Sequence, residues 1–276
     1  LWSLTKNVYT VDSEFLEYLK KSTLRGNLLS TKILTKLPDW CVYVSLGQKF
    51  YLADIPYDGF YARIDQLPTN NSITKFSFTN MFINHISNDF ELDYELIISL
   101  LNSENHDQMS VTTFPVGNFD YVEYLKLAYD HMKSHDGFKQ IESFDKAIED
   151  LIPIINSILY LCSEEPDITS KSGVYQHIPG SPSRRNSIPN KIFQWDIGRR
   201  LGSNFKKAKL DFDTKVQYSV TLPEYRRSVR PHIRNAHWHT YYTGSHRENI
   251  KLNWIEPVFV NCNSPDDLPI VDRVIV

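Results

Sequence analysis

The chain opens on a helical stripe. In VDSEFLEYLKKSTL (residues 11–24) the apolar positions Val11, Phe15, Leu16 and Leu19 recur at helix spacing, and one amphipathic helix is predicted there. The period then shortens to two. LPDWCVYVSL (37–46) is β-branched and aromatic after a Pro-Asp turn and reads as a strand. In GFYARIDQL (59–67), Phe60, Ala62 and Ile64 alternate with Tyr61, Arg63 and Asp65, the mark of a half-buried strand. Tyr94–Leu101 and Met109–Val116 are two more strands around a polar loop, and a meander of antiparallel strands is the natural result.

The helical period returns after Asn118, a candidate cap, with Val122, Leu125, Tyr129 and Met132 on one stripe. A second helix should start after Ser143 and carry Phe144, Ala147, Ile148, Leu151, Ile152, Ile155 and Leu159 on a broad apolar face. Pro153 should kink it, because proline removes a backbone donor inside the helix. EEPDIT (164–169) ends it, and this pair of helices should cover the sheet. KSGVYQHIPGSPSRRNSIP (171–189) is a loop rich in Gly, Pro and Ser. Farther on, a strand over His232–Tyr242, the turn TGSHREN and the alternating Ile250, Leu252 and Trp254 form the clearest hairpin of the chain. The expected class is α+β, antiparallel sheet covered by helices, with a C-terminal β-hairpin. The expected organisation is an N-terminal α+β part over 1–170, a basic loop over 171–191 and a basic, β-rich part over 192–276, packed as one unit.

Composition narrows the class. With 36 aromatic residues and 41% apolar residues among 276, the chain has the means to build a sizeable core. Its three cysteines, Cys41, Cys162 and Cys262, are far apart, which argues against a disulfide scaffold or a zinc ribbon and fits a reducing cytoplasm. No signal-peptide pattern opens the chain, its apolar stretches are too short to span a bilayer, and no membrane partner is expected. The first residue is Leu1, so natural N-terminal residues are expected to be missing. The net charge of −3 conceals an asymmetry: residues 85–167 hold 17 acids and 4 lysines, whereas 184–251 hold 15 Lys/Arg and 5 acids. Such blocks set local fields for partners, or face each other, or are solvated surface.

RPHIRNAHWHTYY (230–242) packs three histidines, two arginines and three aromatic rings into 13 positions. Strand alternation places His232, Arg234, Trp238 and Tyr242 on one face and Ile233, His237, His239 and Tyr241 on the other. His237 and His239 point the same way, as two metal ligands would, but no third ligand and no HExxH lies nearby, so no metal is assigned. Acid–base catalysis needs two histidines across a cleft with a cation. No nucleophile elbow, P-loop or GxGxxG occurs, so no catalytic residue and no cofactor are assigned. Guanidinium groups and rings suit phosphates and unstacked bases, and equally suit a peptide hot spot; buried rings beneath solvated arginines are the third reading. The residues that would bind peptide or RNA are Arg230, His232, Arg234, His237, Trp238, His239, Tyr241 and Tyr242. Arg184, Arg185, Lys206, Lys207, Lys209, Arg226 and Arg227 would add a basic surface.

LPDWCVYV (37–44), LYLCSEEPDIT (159–169), IGRRLG (197–202), RPHIRNAHWHTYYTG (230–244) and NWIEPVFVN (253–261) together resemble the second-described type V-A anti-CRISPR family, in the same order and in islands between Leu37 and Asn261. The stretch before Leu37 departs from the family pattern. The resemblance implies a protein carried by phages or mobile elements that lowers production of the type V-A effector nuclease, Cas-twelve-a. It implies recognition of the nascent N-terminal peptide of that nuclease and loss of its messenger RNA, with ribosome or mRNA as further partners. An RNA-binding protein, or a metal-independent ribonuclease using the His-rich strand, is the alternative that the residues themselves raise.

Overall fold

The computed structural model describes residues 2–22, 30–52, 55–66, 94–105, 109–116, 126, 144–171, 192–207, 232–260 and 270–271. The expected helix over 119–132 lies outside them but for Lys126, as do the Ser143 cap and the basic loop from residue 172 to 191.

A strand that the apolar pattern did not predict sits in the middle of the main sheet. Asn7–Val11 forms β1, and the first helix, α1, begins only at Ser13 and ends at Lys21. Val11 is therefore the last residue of a strand and not the first of a helix. Asp12 divides the two: its side chain accepts from the amides of Glu14 and Phe15 at 3.0 and 3.1 Å, satisfying donors that the helix leaves orphaned. A short helix α2 (Thr31–Leu34) follows, then β2 (Cys41–Ser45), β3 (Phe50–Leu52), β4 (Ile55–Gln66), β5 (Tyr94–Asn102) and β6 (Met109–Val116). Helix α3 (Phe144–Leu161) runs without a break through Pro153. Then come β7 (Ile168–Ser170), β8 (Phe193–Ile197) and the helical residues 199–207, here α4.

The main sheet has the order β6-β5-β4-β2-β1-β8-β7, with β3 added to β4. The expected meander is present as β4-β5-β6, antiparallel throughout. The sheet as a whole is mixed, because β1 lies parallel to both β2 and β8. α1 and α2 supply the long crossover between β1 and β2 that parallel neighbours require. Strand β8, which follows the basic loop in sequence, is inserted between β1 and β7, so residues from both sides of that loop share one sheet.

Alternation decides which face is buried. Tyr9, Val44, Phe60, Ala62, Ile98 and Leu100 lie on one face and are all but inaccessible. Against that face pack Phe15, Leu16 and Leu19 of α1 and Ile154, Ile155, Ile158 and Leu159 of α3 in one apolar cluster. Each such side chain contributes about 1.5–3 kcal/mol by leaving water. On the opposite face Trp2 packs edge-on against Tyr43 and Tyr61. The α+β class with helices covering a sheet thus holds.

The C-terminal hairpin joins β10 (His237–Thr243) to β11 (Asn249–Ile255), in the register Trp238 to Trp254 and Thr240 to Leu252. The expected continuous strand over His232–Tyr242 is divided. His232–Arg234 is a separate strand, β9, which pairs with β12 (Val258–Val260) and β13 (Ile270–Val271) in a small sheet of its own. Asn235 and the buried Ala236 make the break, so face parity cannot be carried from His232 or Arg234 to Trp238.

Candidate functional site

Within β10 the alternation holds from His237 to Tyr241 and fails at Tyr242, which shares the face of Trp238 yet lies exposed at the end of the strand. Trp238 is 7% exposed, while Tyr241 and Tyr242 are 40% and 50% exposed. His239 is exposed and its ring lies 4.1 Å from that of Tyr241, the neighbour two residues on that shares its face. His237 is partly covered, its Nδ1 lying 3.3 Å from the Asn235 carbonyl as a donating N–H would. Arg234 is exposed, as are Lys206 and Lys207 on α4. Arg184, Arg185, Lys209, Arg226, Arg227 and Arg230 lie outside the described residues, and His232 is placed by its backbone in β9. The ribbon therefore has two roles on two faces: an exposed strip of His239 and Tyr241, with Tyr242 at the tip, and an inner face that is core.

The inner face is held by two indoles. Trp238 Nε1 donates to Asn156 Oδ1 at 2.9 Å, and Trp254 Nε1 donates to Ser22 Oγ at 2.9 Å. Asn156, wholly buried in α3, also donates from Nδ2 to the carbonyls of Leu19 and Ser22 at 2.7 and 3.0 Å. One amide thus joins the end of α1, the middle of α3 and the hairpin. Its signal in the sequence is a polar residue within the apolar run IINSILYL (154–161). Buried amides are kept where every bond is satisfied.

Beside Trp254 opens a cleft of about 390 Å³. One wall is the end of α3 and the turn after it, with Tyr160, Ser163, Glu164, Glu165 and Asp167; a second is α4, with Arg200, Leu201 and Asn204; the third is the end of the hairpin, with Asn253, Trp254 and Glu256. Asp167 organises it. Its carboxylate accepts from the amides of Arg200 and Leu201 at 2.7 and 3.2 Å, and from Arg200 Nε. A carboxylate at the amino end of α4 meets the positive pole of the helix as well as its orphan donors. The main-chain amide of Asp167 donates to Tyr160 Oη at 3.0 Å. Burial, and then the carboxylates of Asp167 and Glu256, hold the Tyr160 phenol well above its usual range, so it stays protonated. Glu164 is paired with Lys36 and Lys251, and the hydrogen bond from Lys36 is the main cause of its lowered pKa. The side chain of Arg200 stays 72% exposed while its Nε is engaged by Asp167.

Close packing at two glycines fixes α4. Gly198 has φ +72°, and a Cβ there would lie 2.1 Å from the Phe15 ring; one at Gly202 would lie 2.1 Å from Asp12 Oδ1. The run IGRRLG is thus a turn and a helix start that must approach the cap of α1 closely. Together, SEEPD, IGRRLG and NWIEP supply the walls of the cleft, a convergence that no spacing along the chain announces. Among the described residues, no three His, Cys, Asp or Glu side chains gather as a metal set would. No helix among them is long and apolar enough to cross a membrane.

A family model described as AcrVA2-like, the anti-CRISPR type V subtype A2 family, matches residues 9–262. Protein FinQ of Escherichia coli is 24% identical over 298 aligned positions, covering 98% of this chain and 77% of that protein. Among solved structures, the crystal structure of AcrVA2 is similar with a TM-score of 0.56 at 24% identity, covering 94% of this chain and 73% of that one. At that identity the structural likeness carries the fold.

Proposed function

Because the chain belongs to the AcrVA2-like, anti-CRISPR type V subtype A2 family, we propose that it lowers production of the type V-A effector nuclease by capturing the N-terminal peptide of that nuclease as it is made. Loss of the effector's messenger RNA follows from this capture. The observation that carries the reading is the family match over nearly the whole chain, and the cleft is where we place the peptide.

Three features of the cleft support that placement. Its volume is at the small end of ligand pockets and suits a few residues of an extended chain end. Its walls mix an aromatic edge from Trp254 and Tyr160 with convergent donors and acceptors, the composition that orients a peptide backbone. With Asp167 matched by Arg200 and Glu164 by Lys36 and Lys251, the remaining cleft carboxylates, Glu165 and Glu256, disfavour a phosphate backbone, which favours peptide over RNA at this place. Titration of a synthetic peptide of the effector's N-terminal sequence into the protein, followed by calorimetry, tests the reading. Binding that falls at least tenfold in Arg200→Ala, with thermal stability retained, is the expected result. Full affinity in that variant rules the cleft out as the binding site, and absence of binding to the parent rules out the peptide.

A second reading rests on the exposed His239–Tyr241 ring pair. Rings of this kind stack on unstacked bases, and a histidine beside them can move a proton. In that case the purified protein, incubated with RNA and a chelator, would bind or cleave it, and His239→Ala would abolish cleavage. RNA binding would weaken steeply with salt, whereas peptide capture would weaken only mildly.

A further inference from the structure

The outer strands of the main sheet are guarded in ordinary ways: β7 has only three residues and β6 carries Pro115. The hairpin has one guarded edge and one open edge. At β11 the carbonyl of Leu252 points away from β10 and accepts from the Glu164 amide at 2.9 Å, and the carbonyls of Glu248 and Ile250 accept from Lys32 and Lys36. Main-chain groups alternate in direction along a strand, so the odd-numbered residues of β11 are the ones that bond to β10. The register Thr240 to Leu252 then turns the N–H and C=O groups of Trp238, Thr240 and Tyr242 outward, on the far side of β10. Among the described residues none of these main-chain groups meets a donor or an acceptor.

The strand itself does nothing to discourage pairing along that edge. HWHTYYT holds no lysine, arginine, acid or proline, the residues that keep other edges single. Its rings stand symmetrically about Thr240: His239 and Tyr241 next to it, Trp238 and Tyr242 one place farther out. We infer that β10 pairs antiparallel with β10 of a second copy of this chain, about a two-fold axis at Thr240. In that register Thr240 meets Thr240 of the second copy and Trp238 meets Tyr242 of the second copy, each pair exchanging both of its main-chain bonds. His239 then faces Tyr241 of the second copy on the exposed face. The ring contact already present at 4.1 Å within one chain becomes a cluster shared by both.

The symmetry of the strand selects the occupant. A two-fold contact uses the same patch on both partners, so the patch must complement itself. An uncharged strand with rings at matching places on either side of Thr240 does so, without setting like charges against each other. A foreign strand could satisfy the same main-chain groups, but nothing in β10 would select its side chains. The contact is separate from the cleft, whose hairpin wall is Asn253, Trp254 and Glu256, and it stands apart from the peptide reading.

Sedimentation velocity of the full chain over a concentration series tests this. The parent should pass from monomer to dimer as concentration rises. Thr240→Pro removes an outward N–H and leaves the bonds to β11 in place, so dimerisation should weaken about tenfold or more. His239→Glu combined with Tyr241→Glu sets carboxylate against carboxylate across the axis and should weaken it as much. His239→Glu combined with Tyr241→Lys sets opposite charges face to face and should keep the dimer. A parent that stays monomeric throughout overturns the inference, and if Thr240→Pro then loses the effector peptide, the edge belongs to that peptide. A dimer indifferent to Thr240→Pro and to both charge variants overturns it too, since the copies would then meet elsewhere. Equal weakening by the two charge variants overturns the register. Should Thr240→Pro prove unfolded by its thermal melt, the contrast between the charge variants decides alone.

Discussion

Replacing Trp238 by Phe tests whether the ribbon's central ring anchors the fold or meets a partner. The indole is buried and its Nε1 donates to an equally buried Asn156 Oδ1 at 2.9 Å. Phe removes that donor and orphans the amide oxygen, at about 1–3 kcal/mol, and the smaller ring adds about 1 kcal/mol for the void. A loss of about 2–4 kcal/mol is a large share of the roughly 5–15 kcal/mol that holds a domain folded. Asn156→Leu orphans the Trp238 N–H and the Ser22 carbonyl, while the Leu19 carbonyl keeps the amide of Ser22 as donor. That variant should lose about 2–6 kcal/mol. In the double variant the indole N–H and the amide oxygen disappear together, so it should be less destabilised than the sum of the singles by about 2 kcal/mol. Urea unfolding followed by far-ultraviolet circular dichroism gives all four corners of the cycle. Additivity within about 0.5 kcal/mol would refute the bond between them. So would a Trp238→Phe protein of parental stability that fails to bind peptide, because the indole would then be a contact residue and not a strut.

Four other expectations follow from the same structure. Gly198→Ala should cost about 3 kcal/mol or prevent folding, because a Cβ at φ +72° would enter the Phe15 ring; a parental urea midpoint would contradict this. Glu164 carries a lowered pKa, so its ion pairs stabilise above the ordinary carboxylate range and are lost as pH falls through it; Glu164→Gln should narrow the stability gap between pH 7 and pH 4 by about 0.5–1 kcal/mol, after allowance for its partial exposure, and an unchanged gap would show the pairs to be idle. Burial raises the thiols of Cys41 and Cys162, so in a Cys262→Ser protein neither should react with a thiol reagent before urea unfolds the chain, and rapid native labelling would contradict their placement. Tyr241→Ala and Tyr242→Ala, on exposed rings, should leave stability within about 0.5 kcal/mol of the parent, as a urea titration would show.

What the sequence made legible was mostly what repeats. Strands β4, β5 and β6 and helix α3 follow from period-two and helical apolar patterns, because one buried face imposes its spacing on each. The strand β1 was hidden because NVYTV is only five residues and runs straight into the Asp12 cap, so its last valine also completes the helix stripe. The hairpin was legible, but its first strand was extended too far: nothing in the alternation of HIRNAHWHTYY marks the change of sheet at Asn235 and Ala236. The ribbon's residue types suggested a docking face. Trp238 lies inside because cross-strand pairing with Trp254 turns both indoles towards the groups of Asn156 and Ser22, a contact 82 residues away in the first case. The cleft was illegible for a related reason. Its walls come from three separate segments, and Asp167 joins two of them across 33 residues. The words SEEPD, IGRRLG and NWIEP were visible as family blocks, whereas their meeting in space is a property of the fold.

The central claim concerns the chain end of one target, and it can be read in cells. The opening codons of the type V-A effector are fused upstream of a fluorescent reporter, and reporter transcript and fluorescence are measured with and without this protein. Both should fall for the fusion and stay level for the reporter alone or for a fusion with those codons scrambled. A reporter indifferent to those codons, together with a purified effector whose DNA cleavage this protein blocks directly, would contradict the claim.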